Sequence, residues 1–194
     1  SPCNNRCVFC AYHSDDAKNG QSNVYNLNYN MPAKKFKSIV EVCYRGRVPN
    51  THICATGEPF FHNEILDIID SSIEVYGHTS LQTNFSKEIF EKNNYLEEIL
   101  KRKNYISYIT TDILSGKAEE HEKLKKGSHY DDVLYSLEYI SRSSKICFEI
   151  HYILTKQNFK YIKNLIEDLY RRNIKCHLAI VNLHPHGFNK MTSI

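Results

Sequence analysis

The sequence has no apolar run approaching the roughly 20 residues that span a bilayer, so a membrane-spanning chain is not expected. It has no block of like charge either. The net charge of +3 comes from 25 Lys and Arg interspersed with 22 Asp and Glu, which leaves no electrostatic footprint for nucleic acid. Nor is there a basic stripe with interleaved aromatics of the kind that tracks a single strand, so a nucleic-acid substrate is not favoured. Seven cysteines are not the even number that a closed secreted disulfide framework uses, and no secretory leader is read at the start of the chain. A reducing, cytoplasmic setting is the expectation. Internal repeats and low-complexity segments are absent as well. The remaining picture is ordinary for a globular protein: 194 residues, 41% hydrophobic and 24% charged, for which one domain over residues 1–194 is expected.

Amphipathic helical stretches alternate with short β-branched or aromatic runs, the pattern of βα units feeding a parallel sheet. Helices are predicted over residues 31–44, 63–76, 86–102, 130–142 and 158–172, several opening at a capping residue such as Asn63, Ser86 or Asn158. Strands are predicted over 51–56, 79–83, 106–111, 145–154 and 175–183. The fold class is therefore α/β. No strand precedes the first cysteine, although a ligand loop in a βα fold should leave the end of one. With that strand restored, the expected architecture is a partial parallel (β/α)6 TIM-like barrel.

Cys3, Cys7 and Cys10 stand in the spacing C-x3-C-x2-C, within Cys3-Asn4-Asn5-Arg6-Cys7-Val8-Phe9-Cys10. Thiolates are the usual ligands of iron–sulfur clusters, and a four-iron cluster held by only three leaves one iron open to another ligand. Two other chemistries use the same residues. One is a zinc site with His13 as the fourth ligand; the other is a disulfide with a spare thiol, which the compartment disfavours. The zinc alternative corresponds to a non-catalytic binding module. Cys43, Cys54, Cys147 and Cys176 are scattered through predicted helices and strands, where free cysteine behaves as a small buried hydrophobe.

The first predicted strand runs into Ala55-Thr56-Gly57-Glu58-Pro59, and ligands of parallel α/β folds gather at the C-terminal ends of strands. Gly57 allows close backbone approach, Pro59 stiffens the turn, and Glu58 can accept charge-assisted hydrogen bonds from an ammonium group. A Gly-Glu-Pro tripeptide is equally at home in an ordinary turn. In this order, however, the two motifs resemble the radical S-adenosylmethionine (SAM) superfamily. Thr83-Asn84, Thr110-Thr111-Asp112, the stretch 124–140 and Lys156-Gln157-Asn158 are similar to later barrel segments of the branch containing molybdenum-cofactor enzymes and SPASM peptide and natural-product enzymes. Two positions depart from that pattern. Thr56 stands where the family often has Gly, and Thr110-Thr111-Asp112 stands for its Ser-Leu-Asp. The cysteine-rich C-terminal extension of SPASM enzymes is not found before Ile194.

The resemblance implies a [4Fe-4S] cluster on Cys3, Cys7 and Cys10 whose open iron binds the amino and carboxylate groups of SAM. It also implies reductive cleavage to a 5′-deoxyadenosyl radical, and hydrogen abstraction from a peptide, natural-product or cofactor-precursor substrate. Glu58 would then hold the methionine ammonium, Thr110 or Asp112 would face the ribose, and Phe9 would shape the adenine side. A low-potential electron donor of flavodoxin or ferredoxin type is implied too; an inactive scaffold that keeps the fold is the other possibility.

Strand alternation, with residues two apart sharing a face, offers an independent grouping. Taking Glu58 inward selects Thr56 and Cys54, then Gln82 with Asn84, Thr110 with Asp112, Glu149 with His151, and Asn182 with His184. The opposite phase gives Phe148, Ile150 and Tyr152, suited to packing against outer helices. The cofactor-binding set is thus Phe9, Gly57, Glu58, Asn84, Thr110, Asp112, His151 and Asn182. His151 also suits a hydrogen-bonded interior histidine, Asp112 a cap, and His184 and His186 plain loop positions. The Glu- and Lys-rich run 117–126 reads as a solvated loop or short helix without a role.

Overall fold

The chain is described by a computed structural model over residues 2–10, 12–15 and 30–182. Its centre is an open parallel sheet of five strands in the order β2 (His52–Ile53), β3 (Thr79–Gln82), β4 (Ile106–Asp112), β6 (Cys147–Leu154) and β7 (Cys176–Asn182). Every neighbouring pair is parallel, so each connection must cross over, and helices fill the crossovers. They are α1 (Ala33–Arg45), α2 (Ile65–Tyr76), α3 (Lys87–Lys92), α4 (Tyr95–Lys101), α5 (Ala118–Leu124), α6 (Tyr130–Ser143) and α7 (Ile162–Arg171). The α/β class and parallel sheet are as expected. The sheet has five strands among the described residues and its edges do not meet, consistent with a partial barrel; a sixth strand is not seen among the described residues. No helix among the described residues is long and apolar enough to cross a membrane.

The core lies between one face of the sheet and the helices. On β6 the side chains of Phe148, Ile150 and Tyr152 are fully buried, whereas the alternate Cys147, Glu149 and His151 stay partly exposed. That is the expected phase. Opposite them, α6 contributes Val133, Leu134, Leu137 and Ile140 at helical spacing, and α7 contributes Leu165 and Leu169. Burying each of these large side chains stabilises the fold by roughly 1.5–3 kcal/mol.

Asn158 pins the strand ends to this core. Its amide donates to Leu114 O and Ile153 O, both at 2.7 Å, and accepts from Thr155 N at 2.8 Å. The sheet's polar face and its C-terminal rim are thereby held in place.

Three predicted segments differ in part from the structure. The strand expected over 51–56 is regular only at His52–Ile53. The helix expected over 86–102 is two helices, α3 and α4, because Asn94 adopts left-handed backbone with φ 54°; asparagine tolerates that region and the helix cannot continue through it. The run 117–126 forms the short helix the sequence suggested, but part of it turns inward. It folds as α5 followed by β5 (Lys125–Lys126), with His121, Leu124 and Lys125 buried.

β5 pairs antiparallel with β1 (Arg6–Cys7), setting Arg6 opposite Lys126 and Cys7 opposite Lys125. Val8 N donates to Leu124 O at 3.0 Å, extending the contact. At Gly127 (φ 87°) a Cβ would come within 2.6 Å of Asn4 O, so only glycine lets the strap lie this close to the cysteine loop.

Candidate functional site

Cys3, Cys7 and Cys10 lie on one loop, all partly buried, and all seven cysteines of the chain are free. The loop turns through Cys10 N–H donating to Cys7 O at 2.9 Å. Donors then converge on the sulfurs. Cys10 Sγ accepts from Tyr12 N at 3.4 Å and His13 N at 3.3 Å, and Cys3 Sγ accepts from Asn84 Nδ2 at 3.6 Å. Burial pushes the Cys7 thiol up to about 12 and raises Cys3 as well, with the neighbouring thiols adding to the rise and Lys125 opposing it. A metal centre entering such a site would have to displace thiol protons.

These features fit an iron–sulfur cluster, whose sulfur ligands commonly accept hydrogen bonds that tune it. Among the described residues no group of three His, Cys, Asp or Glu side chains is arranged to hold a metal ion. His13 Nε2 lies 3.1 Å from Thr56 O.

Glu58 is the keystone beside the loop. Its carboxylate is fully buried. Oε1 accepts from Phe60 N at 3.1 Å and Thr83 Oγ1 at 2.9 Å, and Oε2 accepts from Asn84 N at 2.6 Å. Glu58 N in turn donates to Pro2 O at 3.0 Å. One residue therefore ties the cysteine loop, the short 3-10 turn Pro59–Phe61 and the end of β3 together. Burial raises the Glu58 carboxyl, and its three hydrogen bonds and the charge of Lys125 pull it back. A carboxylate offers about four acceptor positions, so Oε2 keeps one for a further donor. Gly57, before it, is half-buried.

The strand ends bring three more residues together. β4 and β6 set Asp112 opposite His151 and Thr110 opposite Glu149. His151 Nδ1 is 3.5 Å from Asp112 Oδ1, and its Nε2 is 2.7 Å from Glu149 Oε1. Asp112 foremost, then Glu149, raise the imidazole to about 9 against the opposing effect of burial. The Asp112 carboxyl is held below its usual range, where hydrogen bonding to His151 and the charges of Lys125 and His151 outweigh its own burial.

A histidine raised in the folded state stabilises fully below its unfolded value of about 6.5 and loses that contribution as pH rises through about 9. Thermal stability is therefore expected to fall between pH 6.5 and 9, and His151→Gln to flatten that slope. The His151 ring resonance in an NMR titration should move near pH 9, whereas a midpoint near 6.5 would break the clamp.

Thr110 is buried, and its carbonyl accepts Thr83 N at 3.0 Å. Phe9 is half-buried in the turn after β1. Asn182 ends β7 opposite Leu154, three residues beyond the Ala179 that pairs with His151, so the ladder sets it apart from the Asp112–His151 level. His184 and His186 lie outside the described residues.

Sequence reasoning missed Lys125. It is fully buried, and its Nζ donates to Asp112 O at 2.8 Å. It missed His121 too, which accepts Leu114 N at 3.2 Å and meets Ser128 Oγ at 3.0 Å while burial keeps it neutral, with a value of about 3. Gly127-Ser128, directly after the charged run, was the one local sign that the run turns inward.

The family model of the Radical SAM superfamily matches residues 2–187. No curated protein matches the sequence significantly. Among solved structures, SuiB of Streptococcus suis bound to S-adenosylmethionine is similar with a TM-score of 0.78 and 20% identity, covering 99% of this chain and 41% of SuiB. SuiB bound to its precursor peptide SuiA gives 0.78 and 21%, covering 99% and 40%. TYW1 with a lysine-pyruvate adduct gives 0.60 and 14%, covering 97% and 63%. The chain thus spans about two-fifths of the length of SuiB, and at these identities the likeness concerns the fold.

Proposed function

We propose that this chain, which belongs to the radical SAM superfamily, binds a [4Fe-4S] cluster on Cys3, Cys7 and Cys10 and reductively cleaves SAM to act on a peptide substrate. The observation that carries the reading is the three-thiol loop braced by Glu58 and Asn84 at the strand ends. Cys3, Cys7 and Cys10 would hold the cluster, which would supply one electron to the SAM sulfonium so that the C–S bond breaks to methionine and a hydrogen-abstracting 5′-deoxyadenosyl radical. The chain's own residues bind and orient. In this reading Glu58 offers its remaining Oε2 position to the methionine ammonium, and Gly57 admits the backbone close to it.

Thr110 and Asp112 serve the ribose, His151 keeps Asp112 ionised and oriented, Phe9 borders the adenine, and Asn182 is a contact by strand position alone. The peptide class is supported by the SuiA complex of SuiB; natural-product and cofactor-precursor substrates share the same chemistry. We further infer one domain over 1–194 and a cytoplasmic, reducing setting with a flavodoxin or ferredoxin as donor. A sixth strand is proposed beside β2, supported by Pro2 O accepting Glu58 N in the turn that follows β2.

Anaerobic reconstitution with iron and sulfide, followed by SAM and dithionite, is expected to give brown protein and 5′-deoxyadenosine by liquid chromatography. A colourless protein holding stoichiometric zinc and releasing none would replace this reading with the binding module.

A further inference from the structure

Lys125 is a fully buried lysine whose Nζ donates to a neutral group, the Asp112 carbonyl. Among the described residues its ammonium forms no ion pair with a carboxylate at contact distance. Burying a charge without a close counter-ion costs several kcal/mol, so the position calls for an anionic neighbour. The antiparallel ladder places Lys125 directly across from Cys7. Its charge also reaches the Asp112 and Glu58 carboxylates, neither of which is at ion-pair distance.

The backbone leaves it little freedom to move away. Val8 N is bonded to Leu124 O, and Gly127 is pressed against Asn4. Outside the strap, Lys126 meets Asp15 at 2.7 Å and Arg6 meets it at 3.5 Å. The two exposed cations flanking this loop therefore already have a carboxylate, and Lys125 is the inward-held charge.

We propose that Lys125 is the fixed counter-charge of the three-thiol loop and raises the reduction potential of the cluster bound there. The inference rests on the function proposed above. Three thiolates and their cluster carry net negative charge, and each added electron makes it more negative. A buried cation across the ladder from Cys7 stabilises the reduced form more than the oxidised one, since potential follows net charge and surroundings. The sign is fixed: removing the cation must lower the potential.

The test compares wild type, Lys125→Gln and Lys125→Arg, reconstituted anaerobically without SAM and poised with redox mediators, the reduced cluster being read by electron paramagnetic resonance. Lys125→Gln is expected to lower the reduced-to-oxidised ratio at a given potential about tenfold, which for one electron is about 59 mV. Lys125→Arg should stay within about twofold of wild type, because it keeps the charge. Assembly of the cluster by Lys125→Arg but not by Lys125→Gln would support the same role.

The inference is overturned if Lys125→Gln keeps the wild-type potential, including the case in which it loses only affinity for SAM. It is equally overturned if Lys125→Arg shifts as far as Lys125→Gln, or if neither assembles a cluster, since shape rather than charge would then matter. A wild-type protein binding no iron and sulfide is a different result, read by metal analysis, and it removes the proposed function itself.

Discussion

Cys7→Ala protein, reconstituted and supplied with SAM and dithionite, should release 5′-deoxyadenosine more than about a hundredfold more slowly than wild type. Loss of a residue that merely supports a metal ligand typically costs 10–100-fold, and Cys7 is proposed as a ligand itself. The effect on folding should be small. Cys7 sits outside the hydrophobic core, in a two-residue ladder whose hydrogen bonds are all backbone, and alanine preserves that backbone. Far-UV circular dichroism and melting temperature should therefore stay close to wild type while iron and sulfide content collapses. Cys43→Ala, on α1, is the control and should keep both cluster and turnover. A Cys7→Ala protein with wild-type iron and deoxyadenosine would move the chemistry to other residues.

The periodic parts of the fold were legible because one physical rule governs them. Alternation on β6 separated Phe148, Ile150 and Tyr152 from Glu149 and His151, and the structure buries the first set completely. The break between α3 and α4 was not legible by periodicity, since 89, 90, 95 and 99 stay buried on both sides of it; the left-handed Asn94 is a backbone choice that an Asn-Asn pair permits without requiring. The site was legible where it is local: the cysteine spacing and the Gly57-Glu58-Pro59 turn lie within a few residues of each other in each motif.

What stayed hidden is non-local. Lys125 reaches Cys7 across 118 positions of sequence through the ladder, and in a run of alternating charges nothing distinguishes the one lysine that turns inward. The Glu58–Thr83–Asn84 bonds span 25 and 26 positions. There the sequence offered a carboxylate suited to an ammonium, and the structure gives that carboxylate three protein donors first.

Those three donors set the second large effect. Glu58→Ala leaves Phe60 N–H, Thr83 O–H and Asn84 N–H without their acceptor in a buried place. An unsatisfied buried donor costs about 1–3 kcal/mol, so the variant should lose on the order of several kcal/mol. For a chain of this size each kcal/mol lowers the melting temperature by about 2–4 °C, which puts the drop near 10 °C or more by calorimetry. The damage should spread to the cysteine loop, because Asn84 reaches Cys3 Sγ from the same turn.

Glu58→Gln separates bracing from binding. Its single carbonyl oxygen can keep the two donors now on Oε1, while its amide group must meet Asn84 N–H where Oε2 now accepts, so it should melt between wild type and alanine. If Oε2 also takes the SAM ammonium, Glu58→Gln should weaken SAM binding by calorimetric titration about tenfold or more, the scale of one charge-assisted hydrogen bond. A glutamine variant that melts early yet binds SAM as wild type would leave Glu58 as a brace and move the ammonium to another acceptor.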